Sequence, residues 1–180
     1  MKLKKLVSAV TALSVVAALC ASLSGCGEKK SDKYKVGICQ LAQHEALDAA
    51  TQGFKDALKE KLGDKVTFDE QNAAGEPATC TTIVNQFVSG KVDLIFANAT
   101  GALQAAVSAT DSIPIVGTSV TDYATALEMK DWSGKTGINV TGTSDLAPLD
   151  KQAEMFKELL PNAKKVGILY CSGEANSKYQ

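Results

Sequence analysis

Side chains able to hydrogen-bond a small molecule collect at the ends of the short apolar runs of this sequence. They stand at Gln40 to His44, Gln71-Asn72, Asn98 to Gly101, Thr118 to Asp122 and Ser172 to Ser177. The intervening turns, Gly63-Asp-Lys65, Gly90-Lys91 and Asp111-Ser112, are short, charged and without evident chemistry. Amides, hydroxyls and carboxylates in this mixture suit non-covalent recognition of a polar solute. Helix N-caps also require Asn, Thr, Ser and Asp. Capping accounts for Asn98 or Thr100 singly, and less well for five loops together. Covalent chemistry finds no support. There is no Gly-x-Ser-x-Gly nucleophile elbow and no P-loop. The turn Cys39 to His44 lacks the glycine that a dinucleotide phosphate needs, so no nicotinamide or flavin cofactor is expected. The one histidine, His44, has no Ser or Cys fixed beside it by spacing and reads as a helix-terminus residue. Scattered cysteines give no zinc spacing. No catalytic residue, metal or cofactor is therefore assigned.

The elements that must position these groups alternate. Tyr34–Leu41 reads as a buried parallel strand, and the helix after it carries Leu47, Ala50, Phe54, Leu58 and Leu62 on one stripe up to Gly63. A strand over Lys65–Asp69 follows. The next helix opens at Pro77, carries Cys80, Ile83, Val84, Phe87 and Val88, and stops at Gly90. Val92–Ala97 is a third strand, Gly101–Ala109 a small-residue helix, and Ile113–Val116 a fourth strand whose Pro suits a start or an edge. Residues 124–136 read as a short helix and a loop around Trp132. Such alternation predicts an α/β fold with a doubly wound parallel sheet. In that fold, ligands sit beyond the carboxyl ends of the strands.

Gly137 to Asp145 reads as a polar crossover, with a hinge at 142–147. Beyond it a second pattern starts: a helix from Pro148 to Leu160, then Val166–Cys171, whose Lys165-Val-Gly-Ile168 nearly copies Lys35-Val-Gly-Ile38. One helix and one strand do not make a lobe. The expected organisation is a complete first lobe over 34–141 and a second, begun over 148–180 and truncated, leaving apolar surface exposed around Phe156, Val166 and Ile168. The rival arrangement adds the last strand to the first sheet as one compact domain.

The N-terminus sets the compartment. Lys2, Lys4 and Lys5 precede an apolar run from Leu6 to Leu19, too short to span a bilayer comfortably, and then Leu23-Ser-Gly-Cys26. This predicts a lipoprotein signal peptide over 1–25, lipidation of Cys26 and a charged tether over 26–33. The mature domain is expected outside the cytoplasm, at the cell surface or in the periplasm, anchored to the membrane by lipid. From Cys26 on, 16 Lys (19 less the three before it) oppose 20 acids, a formal balance of −4 that argues against a nucleic-acid partner. All 19 cationic side chains are Lys, so no bidentate Arg clamp is available for a carboxylate. Cys39, Cys80 and Cys171 each lie in an apolar pattern and read as buried structural thiols.

An ordered set of short motifs carries a resemblance over residues 34–180: Val36-Gly-Ile, His44-Glu-Ala-Leu-Asp48, Gln71-Asn-Ala73, Asp93-Leu-Ile, Ala99-Thr100, Ile113-Pro-Ile, Val120-Thr-Asp122, Asn139-Val-Thr-Gly142, Ser144-Asp145, Leu160-Pro-Asn-Ala-Lys-Lys-Val-Gly167 and Glu174-Ala-Asn-Ser177. The chain resembles the substrate-binding lipoproteins of ABC importers, in the group that includes tryptophan- and tyrosine-binding members. The resemblance implies a type I periplasmic-binding-protein fold. It also implies capture of a small solute, an amino acid with an aromatic one favoured, in a cleft between lobes, and delivery to a membrane permease without catalysis. The alternative is a ligand-sensing module for a membrane receptor. Candidate ligand-binding residues are Gln40, His44, Asn98, Thr100, Gly101, Thr121, Asp122, Ser144, Asp145, Glu174, Asn176 and Ser177. For an α-amino acid, the turn at Ala99-Thr-Gly101 is the candidate for the carboxylate. Asp145, Asp122 and Glu174 are candidates for the ammonium, Asp145 being favoured. Glu45 and Tyr123 stand where the family commonly has Pro, and Gly101 is unusual after Ala-Thr.

Overall fold

The computed structural model describes residues 33–172 and Ser177. Five parallel strands form its sheet: β1 (Tyr34–Gln40), β2 (Val66–Asn72), β3 (Leu94–Asn98), β4 (Ile115–Val120) and β5 (Val140–Ser144), in the order β2-β1-β3-β4-β5. Five α-helices connect or follow them: α1 (Glu45–Leu62), α2 (Pro77–Ser89), α3 (Thr100–Ala109), α4 (Tyr123–Ala126) and α5 (Leu149–Leu159). The doubly wound α/β architecture expected from the alternation is what the chain adopts.

Each face of the sheet buries its own core. On one face Val36, Ile38, Val66 and Phe96 are buried with Phe54, Leu58 and Leu62 of α1 packed on them. Phe54 stacks on Phe96 with ring centroids 3.9 Å apart. On the other face Cys80, Ile83, Val84 and Phe87 of α2 and Ala102, Leu103 and Ala106 of α3 join Cys39, Ile95, Ala97 and Ile115. The α2 helix must lie close, and Gly37 allows it: a Cβ there would stand 2.6 Å from the Phe87 ring.

Local chemistry sets the helix ends. The His44 imidazole Nδ1 accepts from the Ala46 N–H at 3.2 Å, which makes His44 the N-cap of α1, and Glu45 and Asp48 favour that positive end. Pro77 opens α2, where its missing N–H costs nothing, and Gly90 closes it.

Three expectations need correction. Val140–Ser144, read as part of the crossover, pairs with β4 as the edge strand, Gly117 lying opposite Gly142. Its Thr-Gly-Thr-Ser pattern lacks the apolar run of a buried strand because four of its five residues are exposed. The fourth strand runs from Ile115 to Val120, so Pro114 precedes it and needs to donate no ladder bond. Val166–Cys171 is not a strand. It runs without regular structure, because an isolated strand has no neighbour for its backbone groups. Cys171 is accordingly exposed, whereas Cys39 and Cys80 are buried free thiols. The hydrogen bond to Cys80, with burial, pushes the Cys39 thiol up. No residue of α5 is buried, and Phe156, Val166 and Ile168 are exposed as expected, Ile168 at 82%.

Candidate functional site

Strand order reverses at β1: the chain steps from β1 to β2 on one side and returns to β3 on the other. In an open parallel sheet the crevice outside the carboxyl ends at such a reversal is where ligands sit. Leu41 and Gly101 pack against one another at this reversal, a Cβ on Gly101 meeting Leu41 Cδ1 at 3.4 Å. The Leu41 N–H donates to the Asn98 carbonyl at 3.1 Å.

Beneath this crevice lies a buried polar network that fixes α1 to the strand ends. Gln40 Nε2 donates to Asp48 Oδ1 at 2.6 Å and to the Ala42 carbonyl at 2.8 Å. Thr51 Oγ1 donates to Gln40 Oε1 at 2.7 Å. Asn98 Nδ2 donates to Thr51 Oγ1 at 2.9 Å and to the Leu47 carbonyl at 2.8 Å. Gln40 thus spends its amide on the protein, and His44 spends Nδ1 on its cap. Both hold the wall of the crevice. Thr51 was not singled out from the sequence, although it is a hydroxyl between Leu47 and Phe54 on an otherwise apolar stripe.

Two buried acceptor groups remain unpartnered at the crevice: Asn98 Oδ1 and Thr100 Oγ1, in residues 0% and 5% exposed. Thr100 opens α3, whose N-terminus carries no side-chain cap. Ala99 before it has φ 91° and ψ 160°, a region in which almost only glycine is comfortable and which costs about 1–3 kcal/mol. This strained residue stands immediately before the uncapped positive end of α3. Such an end suits an anion.

The ends of β4 and β5 supply the second half of the edge. The Asp145 N–H donates to the Val120 carbonyl at 3.0 Å, and Ser144 Oγ donates to the Thr121 carbonyl at 2.8 Å. These bonds staple Val120 and Thr121 to Asp145 and Ser144. Thr121 is buried. Asp122 caps α4, its carboxylate accepting the Thr125 N–H at 2.7 Å. The exposed Asp145 carboxylate is hydrogen-bonded by no described residue, and it does not cap α5, whose N-cap is Pro148 without a side-chain bond. Ser177 lines a separate cleft of about 430 Å³ with Ala147, Leu149 and Gln152. Glu174 and Asn176 lie outside the described residues. Among the described residues no cluster of His, Cys, Asp or Glu is placed to hold a metal ion, and no helix is long and apolar enough to cross a membrane.

Residues 35–180 match the model of the ABC transporter substrate binding protein family. The chain belongs to that family. Among its relatives, a tyrosine-binding protein of Clostridioides difficile (strain R20291) is 46% identical over 158 residues, 84% of this chain and 46% of that protein. Solved structures with the same fold include a conserved domain protein from Vibrio cholerae (44% identity, TM-score 0.76). They also include an ABC domain in complex with L-Trp from Streptococcus pneumonia (38%, TM-score 0.75). A ligand-free, open substrate-binding protein with adhesive properties from Clostridium difficile is 43% identical with TM-score 0.65. Each of the three is matched over 82% of this chain and 50% of its own length. The chain thus spans about half the length of the relatives it matches.

Proposed function

We propose that this protein captures an α-amino acid with an aromatic side chain outside the cell and hands it to a membrane permease. The observation that carries the reading is the uncapped, strained N-terminus of α3 beside the unpartnered Thr100 hydroxyl, with the unbonded carboxylate of Asp145 on the same edge of the sheet. A zwitterion needs one site of each sign. With no Arg in the sequence, the helix end takes the carboxylate and Asp145 takes the ammonium. Thr121, Ser144 and Gly101 complete the wall, and Glu174, Asn176 and Ser177 are the candidates from the second lobe. The L-Trp complex and the tyrosine-binding relative support an aromatic side chain.

In this reading residues 34–141 with β5 form one wall of the cleft. The hinge follows Ser144, and residues 148–180 belong to the other lobe. Cys26 carries lipid that holds the mature protein at the membrane. A thermal-shift screen of the full-length mature protein against amino acids, purines and sugars tests the reading, because a ligand that binds only the native state raises its melting temperature. L-Tryptophan or L-tyrosine should give the largest shift. A sugar or purine that shifts the protein while amino acids do not contradicts it.

A further inference from the structure

Two thiols that the candidate ligand site does not use lie in one layer of the core. Cys39 on β1 and Cys80 on α2 are both 0% exposed, belong to the same cluster and are free. Contacts along the two elements set their level. A Cβ on Gly90 would meet Lys35 Nζ at 3.3 Å, and one on Gly37 would meet the Phe87 ring at 2.6 Å. At the other end, just before the Glu76 N-cap of α2, the Gly75 N–H donates to the Leu41 carbonyl at 2.8 Å. The helix therefore runs antiparallel over β1, from Leu41 back to Lys35. Cys39 is two residues from Gly37 and shares its strand face, and Cys80 is two turns from Phe87 and shares its helix face. Two strand residues back from Leu41 is about 6.6 Å, and four helical residues in from Glu76 is about 6 Å. The two cysteines thus meet at one level between strand and helix.

Among the described residues no further His, Cys, Asp or Glu joins them in a cluster that could hold a metal ion, so the chemistry of the pair is that of two thiols. Their mutual hydrogen bond holds the Cys80 thiol below its usual range, and the same bond, with burial, pushes Cys39 up. Cys80 also stands near the positive end of α2. Cys80 is therefore the thiol that ionises first, and the thiolate is the form that attacks a disulfide.

We propose that Cys39 and Cys80 are a disulfide site, closed as the chain folds outside the cytoplasm, that ties the carboxyl end of β1 to the first turns of α2. This rests on the reading that the mature domain is exported, where disulfides form and persist. The oxidant is itself a disulfide, of a small thiol or of a dithiol oxidoreductase. The Cys80 thiolate attacks one of its sulfurs, which makes a mixed disulfide and releases one thiolate. The Cys39 thiolate then attacks the Cys80 sulfur, which closes the Cys39–Cys80 bond and releases the second thiolate. The two cysteine protons end on the two released sulfurs, and the oxidant gains the two electrons that the cysteines lose. Both cysteines are buried in the native fold, so the exchange takes place before α2 settles on the sheet, and the finished bond is shielded from reductant. Cys39 immediately precedes Gln40, so the bond clamps the strand end that carries the Gln40 network.

The test has two arms. In the first, the full-length protein is reduced, unfolded and refolded in oxidised and reduced glutathione. Free thiols are alkylated in denaturant, and the chain is cut after lysine, which leaves Cys39 in the peptide 36–55 and Cys80 in the peptide 66–91. Mass spectrometry should find these two peptides joined, at two hydrogens less than their summed mass. The urea midpoint of the oxidised protein should exceed that of the reduced protein by about 1–2 M, a difference that the double variant Cys39→Ala/Cys80→Ala lacks. Alkylation of both peptides overturns the proposal. So does an oxidised midpoint no higher than the reduced one, the mark of a crosslink that the native fold does not accommodate. In the second arm, protein from the cell envelope is alkylated without reductant and cut in the same way. Joined peptides support the proposal, and two alkylated thiols in exported protein overturn it. Protein found in the cytoplasm sinks the compartment reading instead, and the refolding arm then decides for the cysteine pair alone.

Discussion

Thr51→Val isolates the network that ties α1 to the strand ends. Valine keeps the shape of threonine and removes its hydroxyl. In the parent that hydroxyl donates to Gln40 Oε1 at 2.7 Å and accepts from Asn98 Nδ2 at 2.9 Å, in a residue 2% exposed. Gln40 Oε1 then has no donor. Asn98 Nδ2 keeps its bond to the Leu47 carbonyl and loses the other. Both residues are buried, so each group that loses its partner costs about 1–3 kcal/mol, and about 2–6 kcal/mol is expected in all. That is a large share of the 5–15 kcal/mol typical of a folded domain. With a urea slope of about 2 kcal/mol/M, the midpoint should fall by about 1–3 M. Thr51→Ser is the control: it keeps both bonds and loses one methyl, at about 1 kcal/mol. Urea denaturation followed by circular dichroism measures both. If Thr51→Val is no less stable than Thr51→Ser, the network does not hold the crevice wall and the account of Gln40 and Asn98 is wrong.

Other expectations follow from single contacts. Gly37→Ala should destabilise by about 1–3 kcal/mol, since its Cβ would lie 2.6 Å from the buried Phe87 ring; a urea midpoint equal to the parent's would show that α2 yields freely. Burial pushes the Tyr123 phenol up to about 12 in the folded chain, from about 10 for an unperturbed tyrosine. Its contribution is therefore fully present below pH 10 and is lost as pH rises to 12, about 3 kcal/mol over two units. Tyr123→Phe should flatten that decline in a pH series of denaturation curves, and an equally steep decline would mean other groups cause it. Cys26→Ala should abolish lipid labelling of the cells' protein; labelling at the parent level would refute the lipoprotein reading.

The sequence showed the sheet because its strands are buried on both faces and read as apolar runs, as at Val36 to Cys39 and Ile95 to Ala97. It hid β5, because an edge strand with four exposed residues looks like a polar loop. It overstated Val166–Cys171, because apolar composition signals a strand only where a neighbour can pair with it. Periodicity located the carboxyl edge and most of its polar residues. It did not distinguish groups turned outward from groups spent on the protein. Gln40 and Asn98 each end a strand and look alike in sequence, yet Gln40 is fully bonded while Asn98 keeps an unpartnered oxygen. That distinction depends on Thr51, eleven residues from Gln40 and 47 from Asn98. Tyr123 was legible only as a departure from a pattern; the slot that its phenol fills requires Gly117 and Gly142 to meet across two strands.

The central claim is that an amino-acid ammonium group is held by Asp145. Calorimetric titration of L-tryptophan into the full-length protein and its Asp145→Asn variant tests it most directly, with ligand-free melting temperatures recorded alongside. Asparagine keeps the shape and removes the charge, and Asp145 caps no helix, so the melting temperature should stay close to the parent's. Breaking a buried charge pair costs roughly 2–5 kcal/mol of binding, so affinity should fall at least about thirtyfold. Binding by Asp145→Asn as tight as the parent's would contradict the claim and move the ammonium site to Glu174 or Asp122.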